Sequence, residues 1–69
     1  MTDEPTYRLT EIVGTGDSVD QAVRNGLTRA SRTLRHLDWF QVSEIRGTVE
    51  DGNVGAFQVT MKVGFRVEE

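Results

Sequence analysis

The most regular pattern in the chain lies near its C-terminus. Phe57, Val59, Met61, Val63, Phe65 and Val67 alternate with Gln58, Thr60, Lys62, Gly64 and Arg66. Strict alternation over 57–67 predicts a half-buried strand with one apolar and one polar face. Upstream, Val19, Ala22, Val23, Gly26, Leu27, Ala30, Leu34 and Leu37 recur at steps of three, four and one. That spacing predicts a helix from about Val19 to His36, roughly 27 Å long at 1.5 Å per residue. Ser18 is its N-cap, Gln21 three residues on completes a capping box, and Asp20 complements the macrodipole. Gly26 sits in the buried stripe, which points to close packing on a sheet. Arg24, Asn25, Thr28, Arg29, Arg32 and Arg35 form the opposite face.

Tyr7–Val13 (YRLTEIV) is rich in β-branched and aromatic residues and reads as a first strand, with Gly14-Thr15-Gly16-Asp17 as a turn. Trp39 to Val49 reads as another strand, but its periodicity slips. Phe40 and Val42 share one parity, Ile45 and Val49 the other, so a bulge or bend is expected near Ser43-Glu44. Glu50-Asp51-Gly52-Asn53 then makes the last two strands a hairpin. The fold class is α+β, a β-α-β-β unit with a three-stranded sheet covered on one face by one helix. Residues 1–69 make a single domain, with 1–5 a loose arm. Nothing in the chain covers the Gln58–Arg66 face, and three strands leave two open edges.

Composition sharpens this need for a partner. Sixty-nine residues with no Cys have no disulfides, and chains of this size usually require disulfides, a metal or oligomerisation. The single His excludes a multi-His metal site within one chain. Eleven acidic against eight basic residues leave a net charge of −3, which argues against nucleic-acid binding. No apolar run approaches the roughly 20 residues of a membrane span, and the polar start Met1-Thr2-Asp3-Glu4-Pro5 does not read as a signal peptide. A cytoplasmic, self-associating protein is expected.

Catalytic constellations are weak. Gly14-Thr15-Gly16-Asp17-Ser18-Val19 has Val where a dinucleotide fingerprint needs its third glycine. His36 reads as a residue of the helix end, Asp38 and Glu44 as solvated charges rather than an acid–base pair, and no Ser has a nucleophile's context. Trp39 is the only Trp and opens a strand directly after a helix. It is either a core anchor or a stacking platform for a planar ring. Gln58, on the uncovered face, either meets solvent or reads the polar edge of such a ring with its amide. Arg46 and Arg66 are either surface charges or phosphate ligands.

The segments EIVGT at 11–15, RTLRHLDWF at 32–40, EIRGTV at 44–49 and FQVTMKVGFRVE at 57–68 together resemble the dodecin family. The similarity runs from Tyr7 to Glu68. It implies a sheet wrapped around its helix and a hollow homododecamer in which flavins bind in pairs, in pockets shared by symmetry-related subunits. It implies that Trp39 stacks on the isoalloxazine, that Gln58 hydrogen-bonds the ring, and that Arg46 and Arg66 lie near the phosphate, favouring FMN over riboflavin. It further implies coenzyme A on the outer surface, contacted by Arg29 and Thr33. The corresponding function is flavin storage and photoprotection without turnover. A coenzyme A and FMN carrier shell without quenching and a small flavin-dependent oxidoreductase are the alternatives.

Overall fold

The computed structural model describes residues 4–67. Residues 1–3 of the N-terminal arm lie outside the described residues, as do 68–69. The order is β1 (Tyr7–Gly16), α1 (Val19–Ala30), β2 (Leu37–Glu50) and β3 (Asn53–Arg66). The sheet runs β1-β3-β2, with both pairings antiparallel. The most strictly alternating segment is thus the central strand. Its Val59, Met61 and Val63 are fully buried together with Ala22 of α1, and Ile12, Val19, Val23, Leu27 and Leu37 pack around them.

The first strand continues through Gly16, so Gly14 and Gly16 belong to the ladder and not to the turn. Their glycine character serves proximity. A Cβ at Gly14 would fall on the Ala22 carbonyl, and one at Gly16 would lie 2.7 Å from the Ala22 nitrogen. On the helix side, a Cβ at Gly26 would lie 3.2 Å from the Gly14 Cα. Bare backbones on both elements let α1 lie directly on β1, the close packing expected for Gly26. Gly14→Ala is expected to cost about 1–3 kcal/mol as overpacking, read as a lowered thermal midpoint.

The helix N-terminus is built as half of a capping box. Ser18 is extended (φ −146°, ψ 165°) and its hydroxyl accepts the Gln21 N–H at 3.0 Å. The Gln21 side chain does not return to the cap. Its amide donates to Asn25 Oδ1 at 2.8 Å, and Asn25 Nδ2 donates to the Thr15 carbonyl at 3.0 Å, tying the helix to the end of β1.

At the other end the helix stops at Ala30, six residues short of the expected end at His36. The Ser31 hydroxyl donates to the Thr28 carbonyl at 2.8 Å, and Thr33 Oγ1 lies 3.5 Å from the Ala30 carbonyl. Backbone bonds from Arg32 to Arg29 and from Thr33 to Ala30 tighten the last turn to i, i+3 spacing. His36 (φ 61°) then reverses the chain in the left-handed region. Leu34 and Leu37 continue the apolar spacing, but outside the helix.

The second and third strands join through Asp51 (φ 52°) and Gly52 (φ 79°), flanked by the pair Glu50–Asn53. Two central residues with positive φ give the primed turn that matches strand twist. The strand β2 carries the expected bulge, since register shifts between Val42 and Glu44. The extra residue, Ser43, donates its hydroxyl to the Thr60 carbonyl at 3.3 Å. The shift keeps Phe40, Val42 and Ile45 on one face, opposite Val63, Met61 and Val59.

Part of the chain's apolar surface stays uncovered. β1 pairs only with residues 57–66 of β3, so the hairpin tip projects beyond it, and the chain measures 59 × 21 × 14 Å. The helix lies over β1 and β3, leaving Phe40 and Ile45 of β2 about half exposed on the helix side. Val49 and Val54 near the tip are exposed as well. No helix among the described residues is long and apolar enough to cross a membrane.

Candidate flavin site

The placement of Trp39 follows from a second bulge. Leu37 pairs with Phe65, whose parity is that of the buried row, yet Trp39 pairs with Gly64 on the opposite face. Two steps along β2 match one step along β3, with Asp38 as the additional residue. Without it the period of two would send Trp39 to the same side as Leu37. The indole is therefore not an anchor of this chain's core. It lies on the face away from the helix, 40% exposed.

Gly64 makes room for it. A Cβ at Gly64 would fall within the indole, on Trp39 Cε2 and Cζ2. From the far side of β3, Tyr7 reaches the same indole in an edge-to-face contact, with centroids 6.3 Å apart and ring planes at 63°. The Tyr7 phenol stands near the Asp38 carboxylate. Hydrogen bonding to that carboxylate, with desolvation and its charge, raises the phenol's pKa above its ordinary value; Arg66 opposes the shift. Arg66 faces Tyr7 across the β1–β3 ladder. Trp39, Tyr7, Asp38 and Arg66 thus gather at one end of the open face.

Gln58 and Arg46 form a second group. They are direct partners in the β2–β3 ladder, and Arg46 Nε donates to Gln58 Oε1 at 2.9 Å. The amide is half-buried and the guanidinium exposed. With its oxygen engaged, Gln58 is left to present its NH₂ group. This group stands on the same face as Trp39 but six residues along β3 from Gly64, about 20 Å at 3.4 Å per residue. The four residues expected at one site therefore divide into two half-sites at opposite ends of one surface, Trp39 with Arg66 and Gln58 with Arg46.

The remaining candidates fall elsewhere. Arg29 lines a cleft of about 600 Å³ between β1 and α1, with Gly14, Asn25 and Gly26. Thr33 lines a different cleft of about 380 Å³, with Arg8, Arg35, His36 and Arg66. The structure does not bring these two together in one pocket. The His36 carbonyl accepts the Arg66 N–H at 3.1 Å, which ties the reversal to the end of β3. Asp38 and Glu44 occupy separate parts of β2. Among the described residues no cluster of His, Asp and Glu could hold a metal ion. Tyr7 and Gly64 are the participants that residue type alone did not single out. Gly64 carried a signal, a residue without a side chain in the polar row of an otherwise strict alternation.

Comparison with known proteins closes the question of kinship. The dodecin family profile matches residues 6–68. A dodecin from Thermus thermophilus is 50% identical over 64 residues, covering 91% of this chain and 93% of that protein. The structure of a dodecin from Streptomyces davaonensis superposes with a TM-score of 0.93 at 59% identity, covering 97% of this chain and all of the other. One from Streptomyces coelicolor gives 0.93 at 61% identity, with 99% of each chain covered. The β-α-β-β subunit, its antiparallel sheet and its single helix are shared with these relatives, and the chain belongs to the dodecin family, small flavin-binding proteins rather than enzymes.

Proposed function

We propose that this protein stores FMN and suppresses its photochemistry, as a cytoplasmic homododecamer that holds flavins in pairs between Trp39 side chains of symmetry-related subunits. One observation carries the reading. The open face presents a half-exposed indole at one end and a hydrogen-bonded amide and guanidinium at the other, about 20 Å away along β3. That gap exceeds the reach of one isoalloxazine, so a single chain cannot supply both. A two-fold axis through this face would set the Trp39 end of one copy against the Gln58 end of the next. The exposed apolar residues Phe40, Ile45, Val49 and Val54 support the same need for neighbouring copies.

In this arrangement two indoles enclose two flavins, giving a stack of four aromatic layers. Each contact contributes on the order of 0.5–1.5 kcal/mol beyond area burial. Gln58 donates to acceptors on the ring edge, and Arg46 and Arg66 are placed for the phosphate. An electron-rich indole against an excited flavin quenches it by electron transfer, and the enclosed faces leave no approach for a hydride donor. The surface residues Arg29 and Thr33 are assigned to coenzyme A on the outside of the shell, where their separate clefts require contact at two points.

The test is a titration of FMN fluorescence with the protein, with particle mass measured in parallel. Fluorescence should fall close to zero in a particle of twelve chains. Unchanged fluorescence at saturating protein overturns the reading, and steady NADH oxidation in the presence of FMN would replace it with an oxidoreductase.

The two arginines should behave differently. Arg66→Ala should weaken FMN by roughly tenfold or more, the scale of a lost charge-assisted hydrogen bond, and leave riboflavin nearly unchanged. Arg46→Ala should weaken both flavins, because Arg46 also holds the Gln58 amide. Paired isothermal titrations with FMN and riboflavin separate the two patterns.

A further inference from the structure

We propose that Tyr7 is a positioning residue of the flavin site, bracing the Trp39 indole and the bulge residue that aims it. The inference rests on the flavin-storage reading above. Two strands that flank a third are not neighbours, and their backbones stand about 10 Å apart. Tyr7 on β1 nevertheless meets Trp39 on β2, with ring centroids at 6.3 Å. The indole can lie across β3 toward Tyr7, whose own ladder partner is Arg66, because Gly64 beneath the indole has no side chain.

At the other end of its ring the Tyr7 hydroxyl stands beside Asp38, close enough for the carboxylate to raise the phenol's pKa. Asp38 is the extra residue that turns Trp39 to the open face. One side chain thus touches the indole and stands beside the residue of the backbone irregularity that presents it. The phenol's raised pKa keeps it protonated, and so able to donate, throughout the neutral range.

Neither contact contributes to the buried core of Ala22, Val59, Met61 and Val63. Tyr7 itself is 39% exposed. Its contacts act on where the indole stands, not on whether the chain folds. An indole already held in place loses less freedom when a flavin stacks on it, which favours binding through preorganisation.

The experiment compares wild type, Tyr7→Leu and Tyr7→Phe as assembled full-length protein. Three quantities are read: FMN affinity, residual FMN fluorescence at saturation, and the red edge of the near-ultraviolet circular dichroism without flavin. At that edge Trp39, the only tryptophan, contributes and tyrosine does not. Tyr7→Leu should weaken FMN by about tenfold, raise residual fluorescence and flatten the tryptophan band. Tyr7→Phe, which keeps the ring and loses the hydroxyl beside Asp38, should fall between.

An unchanged band and unchanged affinity in Tyr7→Leu overturn the proposal. So does a loss of affinity accompanied by a lower thermal midpoint and an intact band, which would make Tyr7 merely structural. Should Tyr7→Leu fail to assemble, Tyr7→Phe carries the test, and wild-type values for affinity and residual fluorescence overturn the brace. Because the band is measured without flavin, it reports on Tyr7 even if wild type fails to quench FMN. That failure would sink the storage reading instead.

Discussion

Trp39→Ala is expected to weaken FMN binding by at least about 30-fold and to restore the fluorescence of any flavin still bound. The indole is the only tryptophan, and it lies directly over Gly64 on the open face. Removing it takes away both the stacking partner and the electron donor. Binding and quenching should therefore be lost together. The particle should survive, because the side chain lies outside the buried core and is already 40% exposed. The check is an FMN titration beside a mass measurement and a thermal scan. Undiminished affinity, or full quenching without the indole, would show that the flavin stacks elsewhere.

The second large effect comes from a residue with no side chain to touch a ligand. Gly64→Ala places a methyl group where the indole now lies. The neighbouring backbone is held on both sides by ladder hydrogen bonds, so the side chain moves rather than the strand. The displaced indole also leaves Tyr7. FMN affinity should drop by about tenfold or more, the scale of losing a well-placed aromatic contact, with residual fluorescence rising at saturation. The substitution demands no unfavourable backbone conformation and removes no core contact, so the thermal midpoint should change little. A crystal or solution structure of the variant with Trp39 in its original position and wild-type quenching would refute the account.

Much of this geometry was legible in the pattern of residues. The alternation over 57–67 identified the central strand and its two faces, because burial on one side imposes a period of two. The parity slip between Val42 and Ile45 located the Ser43 bulge, since both sides of the slip must reach one apolar face. The helix end was misjudged for a comparable reason. Leu34 and Leu37 keep the stripe's spacing, whereas the hydroxyls of Ser31 and Thr33 that end the helix leave no mark on periodicity.

The bulge at Asp38 is invisible to pattern because no run of alternating residues precedes it on β2. That is why residue type left Trp39 open between core anchor and platform, and its face emerged only from the pairing with Gly64. The distance between the Trp39 and Gln58 groups was likewise hidden. Counting along β3 reveals it only once Trp39 is matched to a position on that strand. Tyr7 was missed because its contact spans a strand that intervenes in space and not in sequence.

The division of the open face into two remote halves has a consequence for loading. If copies complete the site in the way proposed above, a newly made chain has no pigment affinity of its own, and capacity is created only when copies meet. By mass action the reverse holds as well: each captured pigment locks a pair of chains together, so a filled cage resists dilution better than an empty one. Light-sensitive cargo is then never held by a lone subunit, and an emptying cage loosens at the seams where the cargo sat.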